Sequence, residues 1–169
     1  MRENSNIIPA NKDELNLYCQ LGEALLKTQI AEQALSYSIT LKMNPAETKE
    51  RADEFLKQHQ TYTLGKAIKI AIDEKLYSLS LQDELTTFLE QRNWLIHKVI
   101  VGNEPDFNAG KIKEELLDKI KSVSDKAEKI QNEIQYDMIA FCSSKGKNMS
   151  KIFAMLQLQD RGIRVRTKS

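Results

Sequence analysis

The sequence is poor in residues that make turns and cross-links. Its 169 residues include only 6 glycines and 3 prolines, whereas a fold of many short strands depends on turn-forming residues. It has only 2 cysteines, Cys19 and Cys142, and no metal-ligand spacing surrounds either of them. The scarcity of glycine and proline argues against a turn-rich β fold, and the cysteines predict reduced thiols in a cytoplasmic protein.

An excess of charge of one sign is missing as well. Lysine and arginine number 25 and aspartate and glutamate 24, for a net charge of +1, so no strong overall field attracts nucleic acid. The last nine residues are the exception, because they contain four basic side chains and no acid. No apolar run approaches ~18 residues, and the first residues lack the apolar core of a signal peptide. We therefore expect no contact with a membrane.

Helical periodicity fills the chain, and no alternating strand pattern competes with it. Hydrophobic residues make up 41% of the sequence and charged residues 29%, which is typical of a soluble globular protein. The chain is long enough for one domain with its own core. We predict an all-α fold, a compact helical bundle of five or six helices over residues 11–160, with a flexible leader at 1–10 and a basic tail at 161–169.

Helix start and stop residues divide this domain. Asn11 and Glu14 have the spacing of a capping box, and Asn44 followed by Pro45 is typical of a second N-terminus. The predicted helices cover 11–43, 44–58, 64–77, 80–101, 107–143 and 149–159. The segment 102–106 between the fourth and fifth helices is predicted to be a loop.

The first and fifth helices are the longest, and we expect them to frame the bundle as an antiparallel pair. At 1.5 Å per residue each is about 50 Å long. The predicted buried positions of the first helix are Leu15, Tyr18, Leu21, Leu25, Leu35 and Ile39. Those of the fifth approximate a heptad repeat and are Ile112, Leu116, Ile120, Val123, Ala127, Ile130, Ile134, Met138 and Phe141.

The helix predicted over 80–101 organises the chain, with Ser80 as its N-cap and Gly102 just past its end. At about 100° per residue its apolar stripe comprises Leu81, Leu85, Phe88, Leu89, Leu95, Ile96 and Val99. Arg92 lies at the centre of this stripe. Because burying an unpaired guanidinium is costly, a neighbouring helix or a ligand should bring it an anion.

Asn93 and His97 lie on the same helix, one turn apart from each other. His97 is about 140° around the helix from Arg92 and therefore flanks the apolar stripe. A fixed cation, an amide and an imidazole that exchanges protons near neutral pH form a set that suits a phosphate. Either the three side chains form a functional site, or Arg92 pairs with a glutamate of a neighbouring helix and His97 lies at the edge of the packed surface.

The segment 92–97, RNWLIH, resembles the R-x(4–6)-H motif of HEPN domains, in which a polar residue, often asparagine, follows the arginine. The resemblance implies an all-α bundle and, as in many members of the family, metal-independent ribonuclease activity of toxin–antitoxin, CRISPR-associated or anti-phage systems. It also implies a site assembled at a dimer interface. Toxins of the HEPN–nucleotidyltransferase pairs often carry tyrosine two residues after the histidine, where this sequence has Val99.

For this chain the resemblance implies RNA cleavage through the substrate's own 2′-hydroxyl. His97 would take the proton of that hydroxyl, Arg92 would stabilise the charge on the phosphorane, and Asn93 would orient the imidazole. A homodimer with facing motif helices would add a second His97 as the acid for the leaving 5′-oxygen. The product would be a 2′,3′-cyclic phosphate. No metal or other cofactor is expected, because the sequence contains no HExxH or CxxC motif.

RNA is the expected ligand, and an antitoxin or other defence-system protein is the expected class of partner besides a second copy. The candidate RNA contacts are Lys98 and the tail residues Arg161, Arg164, Arg166 and Lys168. For the tail the alternative is an ordinary solvated terminus. The competing function is a non-catalytic helical module that binds a nucleotide or a protein, and a third is a purely structural scaffold.

Two further residues are predicted to be structural. His59 lies in the polar run 57–60 and is predicted to be a surface histidine, because nothing nearby completes a ligand set. Trp94 is predicted to be a core residue, with a platform for base stacking as the alternative. Because Trp94 and Val101 lie opposite Arg92, the second half of the motif helix is apolar nearly all round, and a second subunit is expected to cover one face.

Overall fold

The computed structural model describes residues 10–43, 48–108 and 111–163. Within these ranges the chain is helical and contains no β-strand. The helices are α1 (Lys12–Met43), α2 (Lys49–Gln60), α3 (Leu64–Asp73), α4 (Leu79–His97), α5 (Glu104–Asn108), α6 (Glu114–Ser144) and α7 (Ser150–Asp160), with a 3₁₀ turn at Val101–Asn103. Apart from α5, which has only 5 residues, the described residues form six α-helices, and the predicted all-α bundle is confirmed.

Capping residues determine where the two helices that matter most for the site begin. At the start of α1 the Asn11 amide donates to the Glu14 carboxylate at 2.7 Å, and the Glu14 amide donates to the Asn11 side chain at 2.9 Å. This is the predicted capping box. The N-cap of α4 is Ser78 rather than Ser80, because the Ser78 hydroxyl accepts the amide hydrogen of Leu81 at 3.3 Å.

The second helix begins later than predicted. Thr48 is extended (φ −74°, ψ 157°) and caps α2 with its side chain. The predicted N-cap at Asn44 and its neighbour Pro45 lie outside the described residues. Most of the predicted leader (1–9) and most of the basic tail (164–169) lie outside them too.

The predicted loop at 102–106 is largely helical. The 3₁₀ turn at Val101–Asn103 leads directly into α5, and a proline is tolerated in the first turn of a helix because the amides there have no intrahelical acceptor. The long helix predicted from residue 107 therefore begins only at Glu114, after Lys113 in an extended conformation (φ −78°, ψ 138°).

The core is built mainly by α1, α4 and α6, and α3 also contributes to it. Two ion pairs join α1 to α6: Lys27 bonds Glu128 at 2.7 Å, and nearer the C-terminal ends of both helices Lys42 pairs with Asp137. The two long helices therefore run parallel, and the predicted antiparallel pairing is wrong. The chain reverses between α1 and α4 and again between α4 and α6, so α6 resumes the direction of α1.

Two groups of buried side chains fill this core. One joins the C-terminal half of α1 to α3, the first half of α4 and the middle of α6, and includes Leu35, Ile39, Ile68, Leu85, Phe88, Ile130 and Ile134. The other joins the N-terminal half of α1 to the end of α4 and the start of α6, and consists of Leu17, Ala24, Leu95, Val99, Leu116, Ile120 and Val123. The heptad positions predicted for α6 from Leu116 to Ile134 are thus buried.

The face with which α1 packs differs from the predicted one. Leu35 and Ile39 are buried as predicted, but Leu15, Tyr18 and Leu25 are exposed. The buried positions are Leu17, Ala24, Thr28, Ala31, Ala34, Leu35, Ser38, Ile39 and Thr40. Most of these side chains are small, so α1 can approach its neighbours closely while its larger apolar residues point outward. Even so, no helix in the described part of the chain is long and apolar enough to cross a membrane.

Candidate functional site

Arg92 lies where α4 faces α1. Its Nε donates to Oε1 of Glu32 at 2.7 Å, so the anion predicted for Arg92 comes from a neighbouring helix. The Arg92 and Glu32 side chains are 23% and 27% exposed, and water therefore partly screens the pair. Glu32 engages only one edge of a guanidinium that carries five N–H donors. Arg92 can therefore bind a second acceptor while Glu32 holds it.

Glu32 is the site residue that the sequence did not single out. It is the only charged residue between Thr28 and Leu41, a stretch that covers nearly four turns of α1. A single carboxylate in such a stretch needs a cation or water nearby. This isolation was the feature of the sequence that could have pointed to Glu32. The position of the cation depends on how α4 crosses α1, which no local pattern specifies.

Asn93 and His97 lie on the solvent side of α4. Asn93 is exposed, and its Oδ1 is 3.5 Å from Nη1 of Arg92, at the limit of a hydrogen bond. His97 is the last residue of the helix and is exposed, and its imidazole has no hydrogen-bond partner within the part of the chain that the structure describes. Lys98 follows as the exposed C-cap. The structure thus brings Arg92 and Asn93 together and leaves His97 on the same helix without a partner.

The surface beside these residues is apolar. Ile96 is 42% exposed, Ile100 62% and Val101 74%, so the predicted burial of Ile96 is wrong. The reason is that α3 packs against α4 up to about Leu89, whose side chain lies 3.6 Å from where a Cβ on Gly65 would be. Ile96 lies beyond that contact. The other predicted stripe residues are buried or, for Leu89, partly buried: Leu81, Leu85, Phe88, Leu95 and Val99.

Trp94 occupies the opposite side of the helix. It packs against the second core group, and Nζ of Lys119 in α6 lies 4.1 Å from its ring centroid, a cation–π contact. The ring is therefore occupied by the protein itself, as the predicted core role requires, and is not presented as a stacking platform.

A small cavity of about 180 Å³ adjoins the Arg92–Glu32 pair. It is lined by Glu32, Gln33, Ser36, Tyr62, Leu64 and Ala67. The Ser36 hydroxyl donates to the carbonyl of Glu32 at 3.1 Å. The recess is thus largely polar on the α1 side, next to the carboxylate that holds Arg92.

His59 is buried, and the predicted surface position is wrong. Only 4% of the residue is exposed, and its Nδ1 lies 2.7 Å from Oγ1 of Thr40 in α1. The rings of Phe55 and Tyr62 pack at centroid distances of 5.9 and 5.4 Å. Burial lowers the pKa of His59, because the charged imidazole would lose its hydration. The polar sequence around His59 gave no indication of this, since its partner comes from another helix.

The basic residues predicted to contact RNA are only partly described. Arg161 is exposed at the C-cap of α7, and Arg164, Arg166 and Lys168 lie outside the described residues. Among the residues that the structure describes, no group of three or more His, Cys, Asp or Glu side chains is arranged to hold a metal ion.

Comparisons with protein-family models, curated proteins and solved structures find no match to this chain. The chemistry of the site is therefore inferred from its own residues and from the motif resemblance.

Proposed function

We propose that this protein is a metal-independent endoribonuclease of a bacterial toxin or phage-defence type. The observation that carries the proposal is the set on the second half of α4, in which the partly exposed Arg92 is held by Glu32 at 2.7 Å. Asn93 and His97 follow it and are exposed, and the His97 imidazole has no partner among the described residues. These residue types occur in the order of the R-x(4–6)-H motif that segment 92–97 resembles. The proposed substrate is RNA and not DNA, because the nucleophile of the proposed reaction is the 2′-hydroxyl, which DNA lacks.

In the proposed reaction Arg92 binds the scissile phosphate. The N–H donors that Glu32 does not engage would stabilise the charge that develops on the phosphorane. Glu32 acts as a positioning residue, because it fixes the Nε edge of the guanidinium. Its negative charge also opposes phosphate binding, so other cations such as Lys98 and the tail would have to contribute affinity.

His97 exchanges the proton. Its exposed imidazole would accept the proton of the 2′-hydroxyl as that oxygen attacks the adjacent phosphorus. Asn93, whose Oδ1 lies 3.5 Å from Nη1 of Arg92, would have to turn towards the ring to orient it. The bond to the 5′-oxygen then breaks and leaves a 2′,3′-cyclic phosphate. The departing 5′-oxygen needs a proton, which the partner's His97 would supply in a homodimer. An antitoxin or another defence-system protein in the cytoplasm would restrain such an activity.

A non-catalytic binding module is the second candidate, and the Glu32 contact favours it. In that case Arg92 joins α1 to α4 as an ion pair, as anticipated for a structural arginine, and His97 has no chemical role. The exposed end of α4 would then bind a nucleotide or another protein without turning it over.

One assay separates the two candidates. Purified wild type and His97→Ala are incubated with total RNA in the presence of EDTA. The ribonuclease proposal predicts cleavage by the wild type despite the chelator and none by the variant. RNA left intact by the wild type in every context, or equal cleavage by His97→Ala, would reject it and leave the binding module.

A further inference from the structure

The outer face of α1 carries large apolar side chains that no described helix covers. Leu15 is 54% exposed, Tyr18 61% and Leu26 58%, with Leu25 at 38% and Ile30 at 37%. At about 100° per residue the five lie within about 140° of one another. They form a continuous strip along the N-terminal half of the helix, which we call the outer strip.

The outer strip is also without charge. Its remaining positions are Cys19, Gly22 and Gln29, although 29% of the chain is charged. Glu23 and Lys27 belong to the same stretch of α1 but pair with each other at 2.8 Å, and Lys27 also bonds Glu128 of α6. An apolar, uncharged and exposed helix face is typical of a surface that another molecule covers.

Gly22 lies at the middle of the outer strip. A glycine inside a helix is destabilising relative to alanine. A Cβ at Gly22 would meet nothing within 4 Å, so packing within the chain gives no reason for it. Close approach of a helix from another molecule would explain the glycine, because two helices can cross most closely where a side chain is absent.

We propose that a second copy of this chain docks on the outer strip, with the two α1 helices antiparallel and crossing near Gly22. A strip without charge offers no complement to a charged partner, but it is self-complementary about a two-fold axis through its middle. With Ile96 and Ile100 the exposed apolar side chains amount to roughly 650 Å² per copy, so a pair would bury ~1,300 Å², within the ~1,200–2,000 Å² of specific interfaces.

The interface would border the candidate site. The second core group contains both Leu17 of α1 and Leu95 of α4, so the N-terminal half of α1 lies beside the end of α4, where Ile96 and Ile100 are exposed. Like the proposed function, the proposal involves a homodimer, but it pairs α1 with α1 instead of facing the two α4 helices. It rests on apolar contact and does not depend on RNA cleavage.

Light scattering over a range of concentrations tests the proposal. Leu26→Glu places a charge in the outer strip, and Leu79→Glu is the matched control, because Leu79 is 79% exposed at the start of α4. Wild type and Leu79→Glu should be dimers, whereas the dissociation constant of Leu26→Glu should rise on the order of 100-fold or more with unchanged helical circular dichroism. A monomeric wild type at high micromolar concentration, or a dimeric Leu26→Glu, would overturn the proposal.

Gly22 gives a second test that adds no charge. The monomer has room for a side chain at position 22, so Gly22→Gln should fold. Its glutamine would obstruct the helix crossing by bulk alone, so dimerisation should weaken. Gly22→Cys, with Cys19→Ser and Cys142→Ser, should form a disulfide-linked dimer on oxidation, and Leu79→Cys in the same background should not. Equal cross-linking of both would contradict the antiparallel crossing. A dimer that leaves RNA intact would contradict the ribonuclease proposal alone. A monomer that cleaves RNA would contradict the docking proposal and the role of the partner's His97, but not ribonuclease activity itself.

Discussion

The two histidines of this chain lie in opposite surroundings. His59 is 4% exposed and its Nδ1 is 2.7 Å from Thr40, whereas His97 is exposed at the end of α4 and has no partner among the described residues. An imidazole enclosed between two helices contributes to packing, and one at a surface beside a cation is accessible to a substrate. The difference shows that the polarity of neighbouring residues in sequence does not reveal which histidine is available for chemistry.

The regions around the two histidines differ in how they are held. Among the described side chains of α2, His59 alone is buried, and its bond to Thr40 joins that helix to α1. His97 belongs to a helix that is fixed by Leu85, Phe88 and Leu95 in the core. Substituting His97 should therefore affect chemistry, and substituting His59 should affect stability.

The largest expected effect is on cleavage. Under the proposed function, His97→Ala should lower the rate of RNA cleavage by about 100-fold or more, the typical contribution of a proton-transfer group. His59→Ala should stay within a few-fold of the wild type at a temperature where circular dichroism shows both variants folded. Cleavage of a labelled RNA in EDTA measures both. Equal losses of cleavage rate in His97→Ala and His59→Ala would contradict the proposed functional difference between the two histidines.

Arg92→Ala should follow, with a loss of cleavage of about 100-fold, because the charge on the phosphorane loses its cation. Its effect on the free energy of unfolding should be within about 1 kcal/mol, since water screens the pair with Glu32. Steady-state kinetics and urea denaturation check these outcomes. Full activity in Arg92→Ala would assign the residue to structure alone.

Glu32→Gln should lower kcat while tightening RNA binding. The substitution loosens the hold on the Arg92 guanidinium, which lowers kcat, and it removes a negative charge that opposes the phosphate, which tightens binding. Steady-state kinetics measure both effects.

Stability should show the reverse order for the histidines. His59→Ala should lower the free energy of unfolding by about 1–3 kcal/mol, because it removes buried packing and one of the two hydrogen bonds of the Thr40 hydroxyl, which also donates to the Ser36 carbonyl at 2.8 Å. His97→Ala should change it by no more than about 0.5 kcal/mol. Urea denaturation compares the two. A larger loss in His97→Ala would mean that the exposed histidine stabilises the fold.

The smallest effect concerns pH. Because burial lowers the pKa of His59, the unfolded chain takes up this proton at a higher pH than the folded chain does. The stability from the neutral imidazole is present above the unfolded value of about 6.5 and is lost as the pH falls from there towards the folded value. The urea midpoint of the wild type should therefore fall between pH 7.5 and 5.5, and His59→Gln should lose this part of the fall. An equal fall of the urea midpoint in the wild type and in His59→Gln would assign the pH dependence to other groups.

The sequence predicted the fold class and the buried face of α6 well, because the apolar residues from Leu116 to Ile134 form a single helical stripe. It failed for the N-terminal half of α1, which has apolar residues on two sides, although Leu35 and Ile39 are buried as predicted. Hydrophobicity favoured Leu15 and Tyr18, but close packing selected Ala24 and Ala31. The parallel course of α1 and α6 was also missed, because direction depends on how many times the chain reverses between them.

For the candidate site the sequence anticipated an anion for Arg92 but not Glu32, which is 60 residues away along the chain. The burial of His59 was missed for the same reason, since Thr40 reaches it only after α2 folds back on α1. Residue type and local spacing identify groups that can do chemistry. Contacts between distant segments decide which of those groups have a partner.

The most direct test of the proposed chemistry is the identity of the product. A short RNA that the wild type cleaves in EDTA would be compared with the same RNA carrying a 2′-O-methyl group at the cleavage position, and the ends would be identified by mass spectrometry. We expect a 2′,3′-cyclic phosphate from the first and no cleavage of the second, with neither RNA cleaved by His97→Ala. Cleavage of the methylated RNA, or ends that carry a 3′-hydroxyl, would contradict attack by the 2′-hydroxyl at this site.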